Sequence, residues 1–70
     1  MPEFIVNRNA QNNGDHEVHE KDSHCANYPI LANRMPLGWH AGCTSAVTEA
    51  KKTYPQSNGC AICAKACHTG

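Results

Sequence analysis

The sequence is poor in the residues that build a hydrophobic core. Of its 70 residues only nine are Leu, Ile, Val or Phe, joined by one Trp and two Tyr, while nine Ala and five Cys make up much of its apolar share. A chain this short rarely gains more than roughly 3–5 kcal/mol from one core. Net charge is absent as well: six basic residues balance six acidic ones. That balance argues against a broad electrostatic face for nucleic acid. No apolar run approaches the roughly 18 residues of a membrane span, so no membrane association is expected. The opening stretch MPEFIVNRNAQNNGD has no basic start and no long apolar segment. It does not read as a secretory leader, and a cytoplasmic location is expected. A conventional enzyme pocket would need the same few apolar residues for its walls, so catalysis is not expected. Disorder usually goes with high net charge and few cysteines. The remaining way to fold is a staple, and five Cys with five His offer one as disulfides or as a metal.

Residues 1–70 read as a single small domain. Charge is split along it. Glu3, Asp15, Glu17, Glu20 and Asp22 outweigh Arg8 and Lys21 in the first 24 residues, and Arg34, Lys51, Lys52 and Lys65 outweigh Glu49 in the rest, so the halves can attract each other. Glu3–Arg8 carries the aromatic and β-branched residues of a strand. Asn12-Asn13-Gly14-Asp15 signals a tight hairpin turn. His16–Glu20 alternates as the return strand, with His16, Val18 and Glu20 on one face and Glu17 and His19 on the other. Arg34-Met35 and Leu37 suit a short third strand, which Pro36 confines to an edge. Thr44-Ser45 reads as a hydroxyl-capped helix start. Ala46, Val47, Ala50 and Tyr54 follow at helical spacing, and Pro55 stops the helix. Ser57-Asn58-Gly59 reads as a loop, and the Ala-rich stretch from Cys60 to His68 as a second short helix.

The strongest motif is Gly59-Cys60-Ala61-Ile62-Cys63. Two thiolates two residues apart can bind one metal ion, because the turn between them aims both sulfurs inward. A tetrahedral zinc site needs two further ligands. Cys25 lies 35 residues before Cys60, His19 six before Cys25, and His24 is adjacent to Cys25. The same Cys pair could instead form a disulfide or serve thiol redox chemistry. The spacing of Cys63, Cys67 and His68 is one residue too long for covalent haem attachment.

His19-x5-Cys25-x-x-Tyr28-Pro29, then Asn33-Arg34, then Ala46 and Ala50, then Gly59-Cys60-x-x-Cys63 resembles the small bacterial metal-binding modules related to the zinc domain of the Ada alkylation-response protein. The resemblance covers about residues 4–63. It implies a hairpin, a first ligand pair, a short strand, a helix and a terminal Cys pair. It also implies that Cys25, Cys60 and Cys63 are ligands, with His19 in place of a fourth. The Ada pattern has four Cys ligands, the first two closely spaced, and this chain departs from it there, so alkyl transfer is not carried over. The chain is also similar to short bacterial proteins ending in Cys-His-Thr, a likeness that implies no activity.

Cys67 and His68 compete with His19 for the fourth position. A helix over 60–68 places Cys60, Cys63 and Cys67 on one face, but with Cys67 roughly 10 Å along the axis from Cys60. His19 is preferred because a site confined to the tail leaves the hairpin untethered. His16 and His19 point to opposite strand faces, and His16, His24 and His40 read as surface or partly packed. Cys43 reads as a buried free thiol behaving as a small hydrophobe, and Trp39 suits either a core or an interface. The expectation is an α+β fold, a hairpin or three-stranded sheet packed on one helix and stapled by zinc at His19, Cys25, Cys60 and Cys63. Its function is that of an interaction module with a protein partner and a structural metal. The alternatives are a disulfide-stapled interaction protein and a CxxC thiol-redox protein.

Overall fold

A computed structural model describes residues 2–11, 13–21, 25 and 28–69. The sequence expectations that involve Asn12, Asp22 and His24 lie outside the described residues. The elements run β1 (Glu3–Asn7), β2 (His16–Glu20), β3 (Arg34–Trp39), α1 (Cys43–Ala50) and β4 (Ser57–Gly59), with short 3-10 turns at Leu31–Asn33 and Lys65–Cys67. The fold is α+β: one helix and a four-stranded mixed sheet in the order β3-β1-β2-β4.

The hairpin of β1 and β2 pairs antiparallel, with Phe4 opposite Glu20, Ile5 opposite His19 and Val6 opposite Val18. Its connection is longer than a two-residue turn. Gln11 N–H donates to the Asp15 carbonyl at 2.8 Å and Gly14 N–H to the Gln11 carbonyl at 2.8 Å. Gly14 has φ +92°, a conformation that costs glycine little. Phe4, Val6, Val18, Leu37, Ala46 and Ala50 form the main core, with Met35, Cys43, Val47 and Tyr54 against it. Alternation in β2 therefore turns Val18 to the helix and leaves Glu17 and His19 on the opposite face. β3 takes the outer edge, where Pro36 needs no ladder partner for its missing N–H. The register of β1 with β3 shifts between Phe4 and Ile5, and Gly38 at φ +84° accommodates the irregularity.

Four sequence expectations are corrected. The sheet has a fourth strand where a loop is expected: Ser57, Asn58 and Gly59 pair parallel with His16, Glu17 and Val18. These residues have little strand propensity, and their extended form comes from the partner strand. Thr69 reinforces it, donating from its backbone to Asn58 Oδ1 at 3.0 Å and accepting from Asn58 Nδ2 at 2.8 Å. The helix starts at Cys43 behind Gly42 with no side-chain cap. Instead of capping, Ser45 Oγ donates to the Gly42 carbonyl at 3.4 Å and meets His40 Nδ1 at 2.9 Å.

The third correction is that the chain from Cys60 to His68 is turns followed by a single 3-10 turn, so the proposed one-faced row of Cys60, Cys63 and Cys67 does not form. The fourth concerns Cys43, which is not free: it is disulfide-bonded to Cys67, with the Cα atoms 6.1 Å apart. The opening of α1 lies beside the tail, which brings the two thiols within bonding reach. Among the described residues the Lys/Arg–carboxylate ion pairs stay within each half of the chain, Lys21 with Glu3 and Lys52 with Glu49.

The tail is seated directly on β4. A Cβ added at Gly59 would lie 2.7 Å from Cys67 Cβ and 2.8 Å from the Ala64 carbonyl oxygen and the Cys67 carbonyl carbon. Two of these three atoms are backbone, which cannot swing aside. Gly59→Ala is expected to destabilise the fold by roughly 1–3 kcal/mol, the usual cost of overpacking, as measured by urea unfolding. An unchanged midpoint would contradict this seating of the tail.

Candidate metal centre

Three separate segments build the site. β2 supplies His19, held between two strands and fully buried. The parallel ladder runs one residue beyond β4, where Cys60 N–H donates to the Val18 carbonyl at 2.9 Å. That bond places buried Cys60 next to His19 in the sheet. A turn follows, closed by Ala64 N–H to the Cys60 carbonyl at 3.1 Å, and it returns Cys63 toward the same point. Cys25 comes from the β2–β3 connection. Tyr28 N–H donates to its carbonyl at 3.1 Å, and the Tyr28 ring sits edge-on to His19 with centroids 5.7 Å apart. Arg34 holds this connection down, with its guanidinium 4.4 Å from the Tyr28 ring centroid and its Nε donating to the Pro29 carbonyl at 2.8 Å.

The structure brings His19, Cys25, Cys60 and Cys63 together, each offering one donor atom, with all four atoms within 4.8 Å of one another. Cys25 Sγ is 3.5 Å from Cys60 Sγ, and His19 Nδ1 is 3.3 Å from Cys63 Sγ. A tetrahedral zinc with ordinary bond lengths has S–S edges of about 3.8 Å and S–N edges of about 3.6 Å, so the quartet is already close to that size. Three of the four residues are buried and Cys63 is half-buried. Such a group could hold a metal ion. Ile62 N–H also points at Cys60 Sγ at 3.4 Å, a donor that favours sulfur in its charged form.

The competing ligands are engaged elsewhere. Cys67 is bridged to Cys43, and His68 Nδ1 meets the Gly59 carbonyl at 3.0 Å. His16 stacks on Tyr54 with centroids 4.0 Å apart and meets the Asn7 carbonyl at 2.9 Å. His40 lies between Ser45 and the Leu37 carbonyl, 2.9 Å from each. Trp39, open to either role in the sequence, is 63% exposed at the end of β3. Sequence reasoning missed the Cys43–Cys67 bridge. The odd cysteine count hinted at it, since three thiols on one ion leave two to pair.

Protein-family models, curated proteins and solved structures give no match to this chain.

Burial dominates the titration of His19 and Cys60. It lowers the His19 pKa against the opposing pull of Glu17, so the imidazole is neutral at pH 7, as coordination requires. The Cys60 thiol is pushed up to about 11, chiefly by burial, although N–H groups of Cys63 and Ile62 act in the other direction. At neutral pH Cys60 therefore carries its proton, and a metal ion must displace it. Affinity is expected to rise steadily with pH between about 6 and 8, with protons released on loading. Competition with a chromogenic chelator, run in weakly buffered solution, measures both. A pH-independent affinity would show that sulfur is not the donor.

Proposed function

We propose that this chain is a small zinc-binding interaction module in which the metal is structural. The observation that carries the reading is the convergence of one imidazole and three thiols, drawn from three segments, within 4.8 Å of one another. His19 turns its Nδ1 toward the thiols, 3.3 Å from Cys63 Sγ, and three of the four donor residues are buried. A soft, sulfur-rich donor set of this size suits zinc. All four positions of a tetrahedron are filled by protein, which leaves no place for water and argues for a structural metal over a catalytic one. The resemblance to Ada-type modules agrees with this donor order and adds no activity to it.

The thiol-redox alternative is disfavoured by the direction of the Cys60 shift, since a reactive cysteine needs a lowered pKa and an electropositive surrounding. The disulfide-stapled alternative is supported by one specific pair, Cys43–Cys67, and that bridge is compatible with a metal at the other three cysteines. A protein partner is favoured by the exposed large apolar side chains Ile30, Leu31, Trp39 and Ile62, together with zero net charge. No helix among the described residues is long and apolar enough to cross a membrane.

Elemental analysis is expected to give one zinc per chain, and X-ray absorption a shell of three sulfurs and one nitrogen. Cys25→Ser and Cys60→Ser are expected to abolish tight binding, and a strong chelator to remove tertiary NMR dispersion. The double variant Cys43→Ser/Cys67→Ser should keep its zinc while losing about 3 kcal/mol of stability, the entropic value of a bridge spanning 24 residues. An all-sulfur shell would exclude His19. Dispersion unchanged after verified metal removal would overturn the structural role.

A further inference from the structure

We propose that Glu17 is a positioning residue for the metal centre. Its carboxylate holds His19 in the tautomer that carries hydrogen on Nε2, and so presents Nδ1 to the ion. The inference rests on the metal-binding reading of the quartet and adds a residue that the donor set does not contain. The two ring nitrogens of His19 have different surroundings. Nδ1 lies 3.3 Å from Cys63 Sγ, on the side of the other donors. Nε2 has no hydrogen-bond partner, and its neighbour is Glu17 Oε1 at 3.7 Å, with the Glu17 side chain only 10% exposed.

A carboxylate held out of water next to an orphaned N–H position is costly unless the two serve each other. Their placement is built into the strand. Glu17 and His19 are two apart in β2 and share a face. Glu17 is fixed opposite Asn58 of β4, and His19 opposite Ile5 of β1. The edge-on Tyr28 ring restrains the imidazole plane. The present separation exceeds an N–H···O bond by about 0.8 Å, a movement within the reach of Glu17 side-chain rotation. A metal-bound histidine commonly donates its other N–H to a carboxylate in this way. The pairing fixes its tautomer and raises its basicity as a ligand.

The experiment loads the full-length protein with NMR-active cadmium in place of zinc and compares the wild type with Glu17→Ala and Glu17→Gln. Coordination through Nδ1 gives three-bond coupling from the metal to His19 Hε1 alone, with a slowly exchanging proton on Nε2. Coordination through Nε2 couples the metal to both Hε1 and Hδ2. The inference expects the first pattern. It also expects a loss of 10- to 100-fold in metal affinity for Glu17→Ala, most of it recovered in Glu17→Gln, whose amide oxygen still accepts. Coupling to both protons, or wild-type affinity in Glu17→Ala, would overturn the positioning role while leaving the metal centre in place. Failure of the wild type to take up cadmium would overturn both. Should the alanine variant not fold, the wild-type coupling pattern decides alone.

Discussion

Four donor atoms from residues 19, 25, 60 and 63 lie within 4.8 Å of one another, and that convergence draws together segments that the apolar core leaves apart. Among the described residues the main apolar cluster has six buried members, two of them alanine. It lies between α1 and the sheet face that carries Val18, and it does nothing to gather Cys25 or the Cys60–Cys63 turn. A second buried cluster of Cys25, Cys60 and Ala64, flanked by Tyr28, Cys43 and Cys63, holds those segments and is too small to be a core by burial alone. β2 joins the two clusters. Its Val18 enters the first and its His19 faces the second, and its two edges are paired with β1 and β4.

The disulfide and the donor quartet constrain different parts of the chain. Cys43–Cys67 fastens the start of α1 to the tail and closes a local loop of 24 residues. The quartet brings His19 of the hairpin and Cys25 of the β2–β3 connection beside the chain after β4. Loop closure costs grow slowly with length, so the disulfide is worth a few kcal/mol through the unfolded state, as a metal at the quartet would be. Cys43 packs against the cluster that holds Cys25 and Cys60, so the covalent staple also forms one wall of the polar one. Thiol oxidation at positions 43 and 67 is thereby separated in chemistry from the donor set, yet adjacent to it in space.

Much of this arrangement is legible in the sequence because it rests on short-range rules. Alternation in His16–Glu20 places Val18 and His19 on opposite faces, and Pro36 assigns β3 to an edge. The Cys60–Cys63 spacing marks a turn that converges two sulfurs, and the Ala46 and Ala50 pair marks the buried helix stripe. What is not legible is long-range. Ser57-Asn58-Gly59 has no strand signal of its own and becomes a strand by pairing with β2. The Ala-rich stretch after Cys60 has helix propensity, but the sheet bond from Cys60 to Val18, the contact of Gly59 with Cys67 and the bridge to Cys43 draw it into turns instead. Tertiary constraints override propensity at such short segments. The pairing of Cys43 with Cys67 follows from the same docking of the tail, which no local pattern encodes.

The protonation chemistry of the quartet explains how one small fold can tolerate so many donors in a dry place. Burial drives His19 toward its neutral form and Cys60 toward its thiol, so neither carries a charge that the thin core would have to shelter. A divalent cation inverts that logic. Bound at the quartet, it would exchange protons on sulfur for coordination, and three thiolates with a neutral imidazole would leave the centre only one charge from neutrality. The Ile62 N–H directed at Cys60 Sγ faces the charge that then develops on sulfur. On the proposed reading, folding and metal uptake would be coupled through protons as well as geometry. The same desolvation that keeps His19 and Cys60 uncharged would strengthen electrostatic contacts within a loaded site.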